Sequence, residues 1–163
     1  MKRHVSILLI CVLSQLLVAE HGYGQAVIFV ASTPCSAGTR PLPDIPQGKG
    51  GCELIKWHLA LSGIAGNKTS GAYVLDCDYG MPKQGTRGFI NGGTHLHREG
   101  KWIIEKGIPA NPSAILYRLD PDKPAESISF IRLNENLLHL LDDHGQLMIG
   151  TGAWSYTLSR IRQ

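Results

Sequence analysis

The sequence lacks the features that would announce a chemistry. No Gly-x-Ser-x-Gly elbow accompanies its 7 histidines, and no glycine-rich phosphate cradle precedes a helix. No charge of one sign dominates: 16 Lys and Arg face 13 Asp and Glu, a net charge of +3. That balance is too mild and too scattered to predict nucleic-acid binding. No stretch carries an amphipathic helix longer than two turns. The 19 glycines and 9 prolines exclude a coiled coil. There is no internal repeat. Charged residues make up only 18% of the chain and hydrophobic ones 43%, which excludes disorder by composition. The length of 163 residues suits one domain with its own core.

What is present begins with an address. Met1-Lys2-Arg3-His4 is a basic start, and an apolar run from Val5 to Ala19 follows. Gly22 and Gly24 then place small residues at the −3 and −1 positions of a cut before Gln25. The pattern predicts a secretory signal peptide over 1–24 and a single domain over 25–163. The apolar run is short for a membrane span, and no other segment is apolar enough for one. Cys11 follows Ile10 inside the apolar run and Cys35 follows Pro34, so neither sits in a lipidation site and no stable membrane anchor is expected. No second domain is expected after Gln163. The reading places the protein outside the cytoplasm, secreted or in the periplasm of a bacterial envelope.

The exported part reads as short strands. Over 53–61, Ile55, Trp57, Leu59 and Leu61 share one face, and Lys56, His58 and Ala60 take the other. Turn residues at 62–63 and 66–71 separate this strand from one over 73–79. In that second strand Tyr73, Leu75, Cys77 and Tyr79 point inward, and Asp76 and Asp78 outward. The two form a hairpin. Residues 80–93 carry five glycines and Pro82 and read as a loop. Alternation returns over 94–104, with Leu96, Trp102 and Ile104 on one face and His95, His97, Glu99 and Lys101 on the other. Gly100 suggests a bulge or sharp bend there. A strand over 114–119 turns Ile115, Tyr117 and Leu119 inward. Four more are expected at 127–133, 136–141, 146–149 and 154–158, the last with Trp154, Tyr156 and Leu158 on one face. About eight short antiparallel strands in sequence predict an all-β fold, a small up-and-down barrel or a sandwich.

Four motifs in order resemble a known family. Thr33-Pro34-Cys35 follows an apolar first strand, and Gly100-Lys101-Trp102 sits mid-chain. Leu141-Asp142-Asp143-His144-Gly145 and Trp154-Ser155-Tyr156-Thr157-Leu158 come late. The set is similar to the N-terminal domain of the NlpE copper-resistance and envelope-stress lipoproteins, over about 29–160. The resemblance implies a lipocalin-like antiparallel barrel in the bacterial envelope and a role in copper or surface stress rather than catalysis. It departs from that family in two ways. No lipid anchor is expected, and Cys35-Ser36-Ala37-Gly38 keeps only the first thiol of Cys-x-x-Cys.

Candidate sites follow from the residues themselves. Cys35, Cys52 and Cys77 remain after the cut, enough for one disulfide and one spare thiol. Cys35–Cys52 spans a flexible loop. Cys52–Cys77 is the alternative and needs a twist or bulge. His95 and His97, two apart on a strand, project the same way, as ligands to copper or zinc would. His58 or Glu99 could complete the set. His139 and His144 flank a turn and are expected in solvent. The inward aromatics Trp57, Tyr73, Trp102, Tyr117 and Tyr156 either fill the barrel or line a cup for an apolar ligand. The expectation is a non-enzymatic exported protein that binds or senses a metal ion, an apolar ligand or an envelope partner, with a lipocalin-type carrier as the first alternative and a hydrolase with an unrecognised site as the second.

Overall fold

Apolar residues at every second position need a surface to cover, and in this chain they cover one another. The computed structural model describes residues 24–35, 41–45, 51–64, 66–108 and 110–162. The signal-peptide assignment, 1–24, therefore lies outside the described residues except for Gly24. Eight strands run in sequence: β1 (Val27–Pro34), β2 (Leu54–Ile64), β3 (Asn67–Gly80), β4 (Thr94–Ile108), β5 (Asn111–Leu119), β6 (Ile128–Asn134), β7 (Leu137–Leu140) and β8 (Thr157–Ile161). Each pairs antiparallel with the next, and β8 returns to β1. The result is a closed eight-stranded up-and-down barrel, with no sheet edge left unpaired. The closing seam is its shortest register together with that of β7 and β8: three positions, Ile28–Ile161, Phe29–Arg160 and Val30–Ser159.

The alternation in β2 is borne out side chain by side chain. Ile55, Trp57, Leu59 and Leu61 are buried while His58 is exposed. Inward residues of all eight strands join one core that includes Phe29, Leu75, Leu119, Phe130, Leu140 and Leu158. Outward positions of β2, β3 and β4 carry Lys56, His58, Asp76, Asp78, His95, His97 and Glu99. An apolar inside and a charged outside is the reverse of a lipid-facing barrel.

Several elements differ from the sequence reading. The turn placed at 66–71 is much shorter, because β3 already starts at Asn67 and pairs with Ile64. Gly71 marks a close approach rather than a turn. A Cβ there would strike the Ser62 carbonyl and the Trp102 indole, whose Nε1 donates to that same carbonyl at 3.1 Å. No bulge occurs at Gly100: the β3–β4 register runs unbroken past it. The missing Cβ instead leaves room for the Asp120 carboxylate and the Tyr73 ring. In β5, Ala114 and Leu116 are buried as well as Leu119. They join Ile131 and Leu141 in a small second cluster outside the barrel wall. Residues 146–149 form no strand, only a single bridge between Leu141 and Leu147. The last strand begins at Thr157, not 154, and Trp154 is exposed in a tight turn closed by bonds between Thr151 and Trp154.

The two ends of the barrel are closed differently. At the end where β1 stops and β2 starts, the long connection folds back. Residues 41–45 enter the barrel, with Leu42 fully buried and Ile45 nearly so, both in the main core. A Cys35–Cys52 disulfide, with Cα atoms 5.5 Å apart, closes the loop that carries this plug. Among the described residues, Cys77 is the free, buried thiol. Burial, then the carboxylates of Asp76 and Asp78, push its pKa well up, so it stays protonated and inert.

Candidate functional site

The opposite end, where short hairpins join the strands, is open. A cavity of about 430 Å³ lies there, a size that suits a small organic ligand. Strands form its walls. Phe29, Leu61 and Leu138 are buried beneath it, and Trp102 and Tyr117 meet at a tilt of 43° with 5.4 Å between ring centres. Its rim is polar: Asn67, Lys68, Arg132, Asn134, Glu135 and Arg160. A larger hollow of about 1040 Å³ lies at the plugged end, between segments 41–43 and 141–149 and strands β5 and β6. Its walls are mostly loop residues, among them the exposed Leu147 and Ile149.

The five aromatics singled out by alternation all point inward, but they do not share one site. Trp102 and Tyr117 line the open cavity. Trp57 and Tyr73 belong to the filled core below it. Trp57 donates from Nε1 to the buried Thr33 hydroxyl at 2.8 Å and meets Phe130 edge-on. Tyr73 donates its hydroxyl to Asp120, and burial together with that bond pushes its pKa well up. Tyr156 is buried and lines the hollow at the plugged end.

The sequence reading missed the two arginines of the open end. On β6, Ile128 and Phe130 belong to the core, so Arg132 continues the inward series. On β8, Leu158 is inward and Arg160 is next on that face. The signal was available: a cation two residues beyond a core residue on the same strand.

His95 and His97 do come together, on the outer face of β4 beside β3. His97 Nδ1 lies 2.6 Å from Asp76 Oδ1, and His95 Nδ1 lies 2.8 Å from Asp78 Oδ1. His58 stands opposite Asp76 in the β2–β3 register, and Glu99 stands opposite Val74. Among the described residues, no three His, Cys, Asp or Glu side chains are disposed to hold a metal ion. The carboxylates engage both Nδ1 atoms, so an ion would have to bind through Nε2, and no third ligand among the described residues is placed to join it. The hydrogen bond to Asp76, outweighing the opposing cost of desolvation, holds the His97 pKa above 6.5. An NMR titration is expected to show His97 keeping its proton to higher pH than an ordinary histidine, and Asp76→Asn to bring it back. The bridge is therefore complete at acidic pH and is lost as pH rises through the raised value. A His97 that titrates normally in the native protein would refute this.

His139 is not in solvent as expected. Its Nε2 donates to the Met148 carbonyl and its Nδ1 accepts from the Thr157 hydroxyl, each at 2.9 Å, which ties segment 141–149 to the barrel wall. His144 is exposed.

These features define a class: a small closed antiparallel barrel, plugged at one end, with an apolar, cation-rimmed cavity at the other. No family model matches the chain, and comparison with curated proteins and with solved structures gave no match.

Proposed function

We propose that this is an exported, non-enzymatic binding protein that takes a small, largely apolar ligand into the open end of its barrel. The observation that carries the proposal is the cavity of about 430 Å³ walled by strands above a filled core. One end is sealed by Leu42 and Ile45, so a ligand has one way in and a rigid floor to rest on. A disulfide fits an oxidising compartment outside the cytoplasm. The ordered motifs similar to the NlpE domain point the same way, toward the bacterial envelope, and binding is the part of that family's role for which this barrel offers a site.

The test is a titration with N-phenylnaphthylamine, a neutral apolar probe whose fluorescence rises on burial. Saturable binding at one site is expected. Gly63 lines the cavity and has space for a side chain, the nearest atom to a Cβ being 3.9 Å away. Gly63→Trp should therefore fill the mouth and weaken the probe by at least ~10-fold without loss of cooperative unfolding. No saturable binding, or binding indifferent to Gly63→Trp, would overturn the proposal.

A further inference from the structure

The open end is chemically lopsided. Arg132 is half-buried, Arg160 lies on the inward face of β8, and Lys68 lies across the mouth. Glu135 is the one carboxylate among the lining residues described. The two arginines lie on neighbouring parts of the same inward face. Arg132 pairs with Leu138 in the β6–β7 register, and Leu138 pairs with Leu158, two residues before Arg160 on β8.

Two other strand arginines have carboxylates, while the exposed Arg87 and Arg162 make no ion pair with a described residue. Arg98 bonds Asp44 and Asp120, and Arg118 bonds Glu105. Arg132 and Arg160 make no ion pair with any described residue. Holding Arg132 partly out of water in a cavity lined by Phe29, Trp102 and Leu138 costs free energy unless an anion meets it, while Arg160 stays exposed at the rim. A strand position on an apolar face is where selection by packing alone would place an aliphatic residue. Guanidinium is also the side chain whose planar fork suits a carboxylate or phosphate head.

We propose that the ligand of the open end is an amphiphile with an anionic head. The tail rests on Phe29, Leu61, Trp102, Tyr117 and Leu138, and the head is met by Arg132 and Arg160 at the rim. This inference rests on the binding role proposed above and names the ligand class for that same cavity.

Three probes with one tail and different heads separate the two claims: decanoate, decanol and decyltrimethylammonium, each titrated by displacement of N-phenylnaphthylamine. Decanoate is expected to bind at least ~10-fold more tightly than decanol, and the cationic probe least. Added salt should narrow the gap. In the Arg132→Gln/Arg160→Gln double variant, decanoate should fall to the level of decanol while decanol is unchanged. Arg160→Gln alone, at an exposed position, guards against a folding defect and should lose part of the preference. Decanol binding as tightly as decanoate, or decanoate indifferent to the variants, would overturn the anionic-head assignment and leave the cavity's binding role standing. Failure of N-phenylnaphthylamine itself to bind would remove both.

Discussion

Replacing Asp120 with alanine is expected to cost about 3 kcal/mol of stability, the low end for breaking a largely buried ion pair. Arg98 and Asp120 are 11% and 13% exposed and 2.7 Å apart. The same carboxylate accepts the Tyr73 hydroxyl, and the same guanidinium reaches Asp44 and the Glu126 carbonyl. Removing the carboxylate leaves a buried cation short of charge and a buried phenol without its acceptor. The backbone adds to the loss. Asp120 has φ +47°, a conformation that Asp and Asn tolerate and alanine does not. Asp120→Asn should therefore cost roughly half as much, since it keeps the backbone preference and an acceptor oxygen. Thermal unfolding is the readout, with a fall of roughly 10 °C for alanine. A change below ~1 kcal/mol for Asp120→Ala would show the pair to be solvated and of little consequence.

The second large effect is expected from the disulfide. Cys35 and Cys52 are 17 residues apart, and in the chain-entropy model a loop of that length contributes about 3 kcal/mol. The Cys35→Ser/Cys52→Ser variant should shift the urea midpoint accordingly. It should also loosen the plug, because Leu42 and Ile45 lie within the closed loop and are otherwise held by the core and by the Asp44–Arg98 bridge. Amide exchange at 41–45 should then rise more than exchange in β2 or β3. A midpoint unchanged within error, with 41–45 still protected, would mean that core contacts alone hold the plug. Cys77 serves as an internal control: buried and with its pKa pushed up, it should resist thiol reagents in both forms until the protein unfolds.

The strands that were legible in the sequence are those with a wet face and a dry face. In β2, Trp57 and Leu59 alternate with Lys56 and His58, a period of two that a helix does not have. The extensions of β3 and β4 were not legible. Asn67 to Gly71 reads as turn chemistry, and only the length of the partner strand recruits it into the ladder. Residues 146–149 failed as a strand for a reason that lies in the closure itself. β6 and β8 take both edges of β7, so this segment is limited to the Leu141–Leu147 bridge and a bond from Met148 to the Leu140 carbonyl at the strand's end. The aromatics of the site were visible by parity, since Trp102 and Tyr117 sit on apolar faces. Arg132 and Arg160 escaped because charge was read as a mark of the outer face, whereas their register, two beyond Phe130 and two beyond Leu158, carried the information. Pairing of Cys35 with Cys52 over Cys77 was favoured by loop flexibility, and Cys77 proved to be committed to the core.

The seam between β1 and β8 acquires a thermodynamic meaning from its position. Phe29 and Arg160 face each other across it, and both belong to the wall of the open cavity. Joining the two ends of the chain is the most entropically costly contact in the barrel, because it closes the longest loop. A guest that touches both residues binds the closed form and not the parted one. Occupancy and closure are then linked, and each kcal/mol of binding that depends on the seam becomes resistance to its opening.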